Sequence, residues 1–359
     1  MPKRPILSIC IPTYNRAVFL ESTLNQLKLE TINLEDKIEL CISDNGSTDN
    51  TQEIIKKFIL ENPKIKVKTN IFDKNIGFTL NFKKILEMAS GKYTFTIGDD
   101  DDFIPGRLSL LISYLTKEGD VSYLACNAIR ADKSNILNFS DVLDSNTPGF
   151  ICYEGIEKNK EVIRHVLLAS TGIFVNVYNT DLIKQFPFPF GRYGSYEQTY
   201  FALKSILNSK KFCVMKRPVV LYQGFGDLFD LDIYLVRFGK GLQLNDDLNR
   251  DFCIPHNLKS CDLKLDLRNF FVLSAIFNDD KDEAKKRKFI DVLQKLKSVQ
   301  LRQNPFSFLS FFCYIICFLF QFYSIRKFIA IFYYSYCRLF KKKTFIQKNR
   351  ERVHARPSE

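Results

Sequence analysis

The chain has 359 residues, of which 46% are hydrophobic and 26% are charged, and its formal net charge is +12. This length predicts about two domains, and this composition is sufficient to bury a core, so globally disordered, collagen-like and low-complexity proteins are excluded. Residues 281–359 contain 18 Lys and Arg against 5 Asp and Glu, whereas residues 1–280 contain 34 against 35. Because the excess of positive charge lies only at the end, nucleic acid is excluded as a partner of the body, and the basic, apolar end indicates an anionic membrane surface.

The first 115 residues alternate apolar runs with segments in which hydrophobic residues recur at helical spacing. Strands are predicted at residues 7–11, 38–42, 65–67 and 93–97, with a helix between each pair. Asn15 is the predicted N-cap of the first helix. This alternation of strands and helices predicts a parallel sheet that is covered by helices.

The rest of the chain is less regular. Strands are predicted near residues 121–126, 173–177 and 212–222, a helix is predicted near 198–208, and residues 226–300 are expected to be mainly helical. The predicted fold class is therefore α/β, with a mixed, mainly parallel sheet flanked by helices and a helical C-terminal extension that associates with a membrane.

Polar clusters follow the four predicted strands of the first part, at residues 12–16, 43–49, 74–77 and 99–102. In parallel sheets of this kind, ligands bind at the carboxyl ends of the strands. We therefore expect these four loops to meet at one edge of the sheet and to form the binding site.

Four adjacent aspartates, Asp99 to Asp102, follow the fourth predicted strand. Adjacent carboxylates repel one another, and a shared cation relieves this repulsion. Two of them at positions i and i+2 can point to the same side and bind one hard divalent ion, which also binds phosphates. The alternative is a solvated acidic turn that caps the following helix.

Four motifs occur in order: IPTYNR at residues 11–16, SDNGSTD at 43–49, NIG at 75–77, and ASGKY at 89–93 followed by DDD at 99–101. Together they resemble the family 2 glycosyltransferases of the GT-A fold, over roughly residues 5–225. The GDDD segment, with Pro105 and Gly106, is similar to bacterial surface-polysaccharide sugar transferases, including abequosyltransferase-like members. The resemblance implies a GT-A fold, a nucleotide-sugar donor and a divalent metal, Mg²⁺ or Mn²⁺.

The resemblance also implies a set of donor-binding residues: Pro12, Thr13, Tyr14, Asn15, Asp44, Asn75, Gly77, Asp99 and Asp100. Tyr14 would stack on the base, and Asp44 would accept a hydrogen bond from it, unless Asp44 is a turn residue that bonds its own backbone. Asp99 would contact the ribose or the metal, and Asp101 would bind the metal. A supporting or helix-capping role is the alternative for Asp100, and a purely conformational role is the alternative for Gly77.

The catalytic base is the point at which the sequence departs from the family. Inverting members usually carry Glu-Asp at the start of a helix, with the Asp as base, but Gln198 stands at that position and an amide cannot accept a proton. We therefore expect Glu197 to be the base; the alternative is a glutamate that merely stabilises a helix N-terminus. His165 is a second candidate.

The C-terminal part contains a run of 18 residues without a charged side chain, at 306–323, and a shorter apolar run at 328–340. At about 1.5 Å per residue the first run measures about 27 Å, barely the thickness of the hydrocarbon core. Because Tyr and Phe suit the membrane interface and lysines follow at 341–343, we expect helices that lie in the cytoplasmic leaflet. A single spanning helix and a soluble helix pair are the alternatives.

The predicted domains are a glycosyltransferase domain at 1–225, a helical extension at 226–304, a membrane-associating segment at 305–345 and a basic tail at 346–359. Within the first, residues 1–115 are the expected nucleotide-binding half and 116–225 the acceptor half.

The expected function is metal-dependent transfer of a sugar, with inversion, from a nucleotide sugar to a hydroxyl of a lipid-linked glycan in surface polysaccharide synthesis. UDP-sugar is the expected donor because uridine is the commonest base in the family. The alternatives are an inactive scaffold in a glycan-assembly complex and a nucleotidyl-transferring enzyme, against which the absence of a G-x-x-x-x-G-K-[ST] motif argues.

The ten cysteines include no C-x-x-C pair, so free, buried, reduced thiols are predicted. The N-terminus shows no long apolar segment of a secretory signal. We therefore expect a cytoplasmic protein, peripheral or monotopic on the inner face of the plasma membrane.

Overall fold

The structure, a computed structural model, describes residues 4–130, 149–155, 159–170, 172–190, 196–208 and 211–222. The chain divides into two compact units, Met1–Gly224 and Phe225–Glu359. The predicted helical extension, membrane-associating segment and basic tail lie outside the described residues. Among the described helices, none is both long and apolar enough to cross a membrane.

The described part alternates strands and helices over its first half, as predicted. The strands are β1 Leu7–Thr13, β2 Ile38–Asp44, β3 Val67–Ile71, β4 Tyr93–Thr96, β5 Asp102–Phe103, β6 Tyr123–Arg130, β7 Phe150–Glu154, β8 Asn176–Asn179 and β9 Lys211–Tyr222. The helices are α1 Ala17–Glu30, α2 Thr51–Glu61, α3 Phe78–Met88, α4 Arg107–Glu118, α5 Lys160–Ala169, α6 Thr180–Ile183 and α7 Glu197–Leu207.

The described strands form one sheet in the order β3-β2-β1-β4-β8-β6-β9-β5, and β7 pairs with β9. β1 to β4 are parallel to one another, whereas β8 is antiparallel to both β4 and β6. Every residue of β1 and β2 is buried, as expected for strands of a sheet that is covered on both faces. This mixed α/β sheet with flanking helices confirms the predicted fold class for the described part.

The helices contribute apolar faces to the core, which is why the helical spacing was visible in the sequence. Leu20, Leu24 and Leu27 of α1 and Phe82 and Ile85 of α3 are all buried, and α3 packs against β1 and β2. Because β1 pairs in parallel with both β2 and β4, the carboxyl ends of these three strands lie side by side, and the loops that follow them meet at one edge.

The prediction that Asn15 caps the first helix is wrong. Arg16 occupies the N-cap position, and Asn15 adopts a left-handed backbone conformation, with φ of 51°. Asparagine tolerates this conformation better than most residues because its short side chain bonds locally. Here the Asn15 Oδ1 accepts a hydrogen bond from the Thr48 backbone N–H, at 2.8 Å. Asn15 therefore joins two loops instead of starting a helix.

The prediction of free thiols throughout is also wrong. β7 and β9 pair so that Cys152 lies directly opposite Cys213, with their Cα atoms 4.0 Å apart, and the two form a disulfide. Cys10, Cys41 and Cys126 are free and buried, as predicted. The pairing register could not be deduced from two cysteines that lie 61 residues apart in sequence.

A buried glutamate anchors the opposite edge of the sheet, at the amino ends of the strands. Glu39 has no exposed surface, and its Oε1 accepts hydrogen bonds from the Ser8 hydroxyl and from the Ser90 and Gly91 backbone N–H groups. Its Oε2 lies 3.1 Å from Lys68 Nζ. Burial alone would raise the pKa of Glu39, but the hydrogen bonds outweigh burial and lower the pKa to about 2.

We expect Glu39→Gln to lower the free energy of unfolding at pH 7 by about 2 kcal/mol, because hydrogen bonds to charged groups contribute about this much. Since the folded-state pKa lies below the ordinary 4.5, the contribution of Glu39 is present above about pH 4.5 and is lost as the pH falls to about 2. Urea titrations at several pH values measure the free energy of unfolding, which should fall less between about pH 4.5 and about pH 2 in the variant than in the wild-type protein. The exposed Glu87→Gln is the control, and an unchanged pH dependence in Glu39→Gln would contradict the assignment.

Candidate active site

The loops after β1 and β2 are tied together by hydrogen bonds. The Asn15 backbone N–H donates to the Ser47 hydroxyl at 2.8 Å, and the Asn45 backbone N–H donates to the Thr13 carbonyl at 3.0 Å. The strand register places Thr13 opposite Asp44. The predicted meeting of these two loops is therefore confirmed.

Asp44 is fully buried and uses only one carboxylate oxygen within the loop. Its Oδ1 accepts hydrogen bonds from both the backbone N–H and the hydroxyl of Ser47, at 3.0 and 2.5 Å. Its Oδ2 is buried and has no hydrogen-bond partner among the described residues. Oδ1 thus acts as in the turn interpretation, whereas Oδ2 is available to accept a hydrogen bond from a ligand.

The third loop, residues 74–77, is bound to the second. Asn45 Nδ2 donates to Asn75 Oδ1 at 3.0 Å, and the Gly77 backbone N–H donates to the same oxygen at 2.8 Å. A Cβ on Gly46 would lie 2.5 Å from the carbonyl carbon of Lys74, so the two backbones touch. Gly77 has φ of 87° and open space around it, so its need for glycine is conformational.

The acid cluster follows β4 and contacts the first loop. Asp99 Oδ2 accepts a hydrogen bond from the Thr13 hydroxyl at 2.7 Å, and Asp99 Oδ1 lies 3.1 Å from Arg16 Nε. Arg16 Nη2 also pairs with Asp100 Oδ2 at 2.5 Å. One guanidinium therefore neutralises part of the charge of two aspartates, a role that the sequence analysis did not assign to Arg16.

Asp101 lies deepest in the cluster. Its side chain is buried, its Oδ2 accepts a hydrogen bond from the Gly98 backbone N–H at 2.9 Å, and its Oδ1 has no partner in the described part of the chain. Burial raises the pKa of Asp99 to about 7 although Arg16 opposes this shift, and burial together with the charge of Asp100 raises the pKa of Asp101 well above its ordinary value. The charge of Arg16 therefore does not fully offset the negative charge of the cluster.

A divalent cation fits this site. Within the described ranges, no group of three or more His, Cys, Asp or Glu side chains is already arranged around a metal position. The partnerless oxygen of Asp101 and the raised pKa values of Asp99 and Asp101 nevertheless indicate that a further positive charge would stabilise the carboxylates. Carboxylate oxygens are the ligands that Mg²⁺ and Mn²⁺ prefer.

Glu197 is the first residue of α7 and contacts the first turn of α3. Its side chain has no exposed surface, and its Oε1 accepts a hydrogen bond from the Thr79 hydroxyl at 3.0 Å. The neighbouring Gln198 is also buried, and its backbone carbonyl accepts a hydrogen bond from the Tyr178 hydroxyl. Of the two side chains at the start of α7, only Glu197 carries a group that can accept a proton.

Three predicted site residues remain to be placed. Pro12 lies within β1, opposite Ser43, and Tyr14 follows β1 with 38% of its surface exposed. An exposed ring at this edge is free to stack on a base, and this role stays a prediction. His165 lies in α5, and its side chain is outside the description.

Arg16 and Thr79 are polar residues of the site to which the sequence alone assigns no role. The contact of Arg16 could have been predicted, because a basic residue ends the first polar loop and the fourth loop is acidic. The contact of Thr79 could not, since its partner lies 118 residues away.

The chain is similar to several known proteins. Residues 8–162 match the family model described as Glycosyl transferase family 2. Abequosyltransferase RfbV of Salmonella typhimurium is 38% identical over 117 residues, which are 32% of this chain and 34% of that protein. A GalNAc(5)-diNAcBac-PP-undecaprenol beta-1,3-glucosyltransferase of Campylobacter jejuni is 26% identical over 214 residues, which are 59% of this chain and 63% of that protein. The chain thus spans less than two thirds of the length of these relatives.

Solved structures with the same fold extend the likeness. TarS 1-349 of S. aureus superimposes with a TM-score of 0.51 and 17% identity, covering 92% of this chain and 91% of that one. A mannosyltransferase of Pyrobaculum calidifontis, solved with GDP-Man and Mn²⁺, has a TM-score of 0.50 and 14% identity, covering 95% of this chain and 89% of that one. At these identities the likeness shows the fold alone.

Proposed function

We propose, because residues 8–162 match the model of glycosyl transferase family 2, that this chain transfers a sugar from a nucleotide-sugar donor to a hydroxyl of a glycan acceptor. One observation carries the proposal. Four loops meet at the carboxyl edge of the sheet, and they contain two buried carboxylates, Asp44 and Asp101, that each leave one oxygen without a partner in the described region. A nucleoside diphosphate would donate a base N–H to Asp44, and the metal ion bound to its phosphates would supply positive charge to Asp101.

The donor in this proposal is a UDP-sugar. Asp44 Oδ2 accepts the N–H of the base, and the exposed ring of Tyr14 stacks on it. Asn75, Gly77 and the loop around Asn15 form the floor of the pocket. TarS has been solved with UDP and with UDP-GlcNAc, which supports uridine, whereas the mannosyltransferase with GDP-Man leaves guanosine as the alternative for the experiment to decide.

The metal in this proposal is Mg²⁺ or Mn²⁺, held by Asp101 and Asp99. When bound, it supplies positive charge to the diphosphate as the sugar–phosphate bond breaks. Arg16 remains paired with Asp100 and holds the acid loop in place. The mannosyltransferase solved with Mn²⁺ supports this choice of ion.

Glu197 is the general base in this mechanism. The acceptor oxygen forms its bond to the anomeric carbon while the bond from that carbon to the diphosphate oxygen breaks. Glu197 takes the proton of the acceptor hydroxyl, and the diphosphate leaves with the electron pair. A single direct displacement of this kind inverts the configuration of the anomeric carbon.

The acceptor in this proposal is a lipid-linked glycan, and the protein works on the cytoplasmic face of the membrane. The name of the Campylobacter relative, which ends in PP-undecaprenol, supports a polyprenyl carrier. The apolar and basic residues 305–345 would hold the protein at an anionic surface as a peripheral or monotopic protein.

A donor screen with the full-length protein tests the proposal. UDP-, dTDP-, CDP- and GDP-sugars are added with Mn²⁺ in thermal-shift experiments, and a ligand at about 100 times its Kd should stabilise the protein by about 2.7 kcal/mol, or about 5 °C. The stabilising donor should then be consumed when membrane extract supplies the acceptor. If no nucleotide sugar raises the melting temperature and none is consumed, the proposed function is refuted.

A further inference from the structure

A hydrogen bond connects the donor side of the site to the proposed base. The Thr79 hydroxyl donates to Glu197 Oε1 at 3.0 Å, across 118 residues of sequence. Thr79 is the second residue of α3, and Glu197 is the first residue of α7. In neither helix does the N-cap residue form a side-chain cap hydrogen bond. The Thr79–Glu197 bond joins the first turns of two helices that are far apart in sequence.

The position of the Thr79 hydroxyl is fixed by its surroundings. Asn81 and Phe82, near the start of α3, are buried. Asn81 Nδ2 donates a hydrogen bond to the Ser43 carbonyl at 3.0 Å. Gly77, which precedes the helix, is held by Asn75. The loop that forms the floor of the proposed donor pocket therefore also sets the place of the hydroxyl.

The Thr79 hydroxyl helps to orient Glu197. A charge-assisted hydrogen bond from a hydroxyl in a fixed place favours one orientation of the buried carboxylate over others. General base catalysis requires that orientation to be correct, because the accepting oxygen has to lie within hydrogen-bond reach of the acceptor hydroxyl.

We propose that Thr79 is a positioning residue that orients Glu197 for proton transfer and thereby couples the donor loop to the base. The inference rests on the proposed function, in which Glu197 takes the acceptor proton. Thr79 itself touches neither the donor nor the reacting atoms in this scheme; it acts only through the carboxylate.

The test compares Thr79→Val, which removes the hydroxyl and keeps the shape, with Thr79→Ser, which keeps the hydroxyl. We expect Thr79→Val to lower kcat about 10-fold with the donor KM unchanged within about twofold, since an effect on kcat alone indicates a loss in the transition state. Thr79→Ser should restore kcat to within about twofold of wild type. Thr116→Val is the matched control, because Thr116 is exposed and its hydroxyl bonds to the Ile112 carbonyl one turn earlier in its own helix.

The outcomes separate this inference from the proposed function. If Glu197→Gln is inactive while Thr79→Val keeps the wild-type kcat, the positioning role is refuted and the proposed function stands. A raised donor KM with an unchanged kcat would also refute it, because Thr79 would then belong to donor binding. If the wild-type protein transfers no sugar, the proposed function fails first. Circular dichroism of each variant verifies that the fold is retained.

Discussion

Asp101→Asn is expected to lower kcat for sugar transfer by about 1,000-fold while the protein stays folded. The substitution keeps the size of the side chain and an oxygen that can accept from the Gly98 backbone N–H, but it removes the negative charge that would hold the metal. Metal stabilisation of a leaving diphosphate is worth several kcal/mol, and about 4 kcal/mol corresponds to about a thousandfold in rate. Single-turnover rates over a series of Mn²⁺ concentrations measure this.

The stability of the Asp101 variant gives an independent readout. The carboxylate is buried, and its pKa is raised because burial and the neighbouring aspartates disfavour its charge. In metal-free buffer, a neutral amide should therefore leave the melting temperature unchanged or raise it. Asp36→Asn makes the same chemical change at an exposed position before β2 and should alter neither activity nor metal dependence. A wild-type rate in Asp101→Asn would remove Asp101 from the metal site.

Glu197→Gln is expected to lower kcat by about 1,000-fold, within the range usual for loss of a general base. The amide can still accept a hydrogen bond from Thr79, but it cannot accept a proton from the acceptor. Because donor binding does not involve Glu197, the rise in melting temperature with the donor should remain. Steady-state kinetics and thermal shift with the same donor measure the two effects separately.

The competing explanation for Glu197 is that a glutamate in the first turn merely stabilises the helix. Glu53 occupies the first turn of α2 and is exposed, so Glu53→Gln reproduces the loss of a helix N-terminal charge without affecting the site. Such a charge contributes about 0.3–1 kcal/mol to stability and nothing to the chemical step. If Glu197→Gln and Glu53→Gln both keep nearly full activity, Glu197 has only the helix-stabilising role.

The sequence was sufficient for the parts of the fold that local patterns determine. The apolar runs of β1, β2 and β4 are buried on both faces, and buried parallel strands are continuous in their hydrophobicity. The meeting of the four loops followed from topology, because parallel strands end at the same edge. The third strand was predicted too early, since Ile65 belongs to the turn before β3 and only Val67 starts the strand.

The details of the site depend on distances that no local pattern encodes. Asn15 has a side chain suited to helix capping, and only the proximity of Thr48 shows that it bonds across to another loop. The pairing of Arg16 with Asp99 joins two loops that are far apart in sequence. The disulfide between Cys152 and Cys213 follows from the register of β7 and β9. Glu197 departs from the family pattern as a base, and its role stays a prediction because a contact with Thr79 shows its place and not its chemistry.

The contact between Gly46 and Lys74 has a consequence for protein engineering. Since a methyl group on Gly46 would overlap the main chain of Lys74, residues 43–49 and 74–77 are in close main-chain contact, and we expect them to be exchanged best as a unit. A chimaera that grafts residues 43–49 from a relative with a different donor should also carry that relative's residues 74–77. A graft of one segment alone would leave two mismatched main chains pressed together, whatever side chains line the pocket.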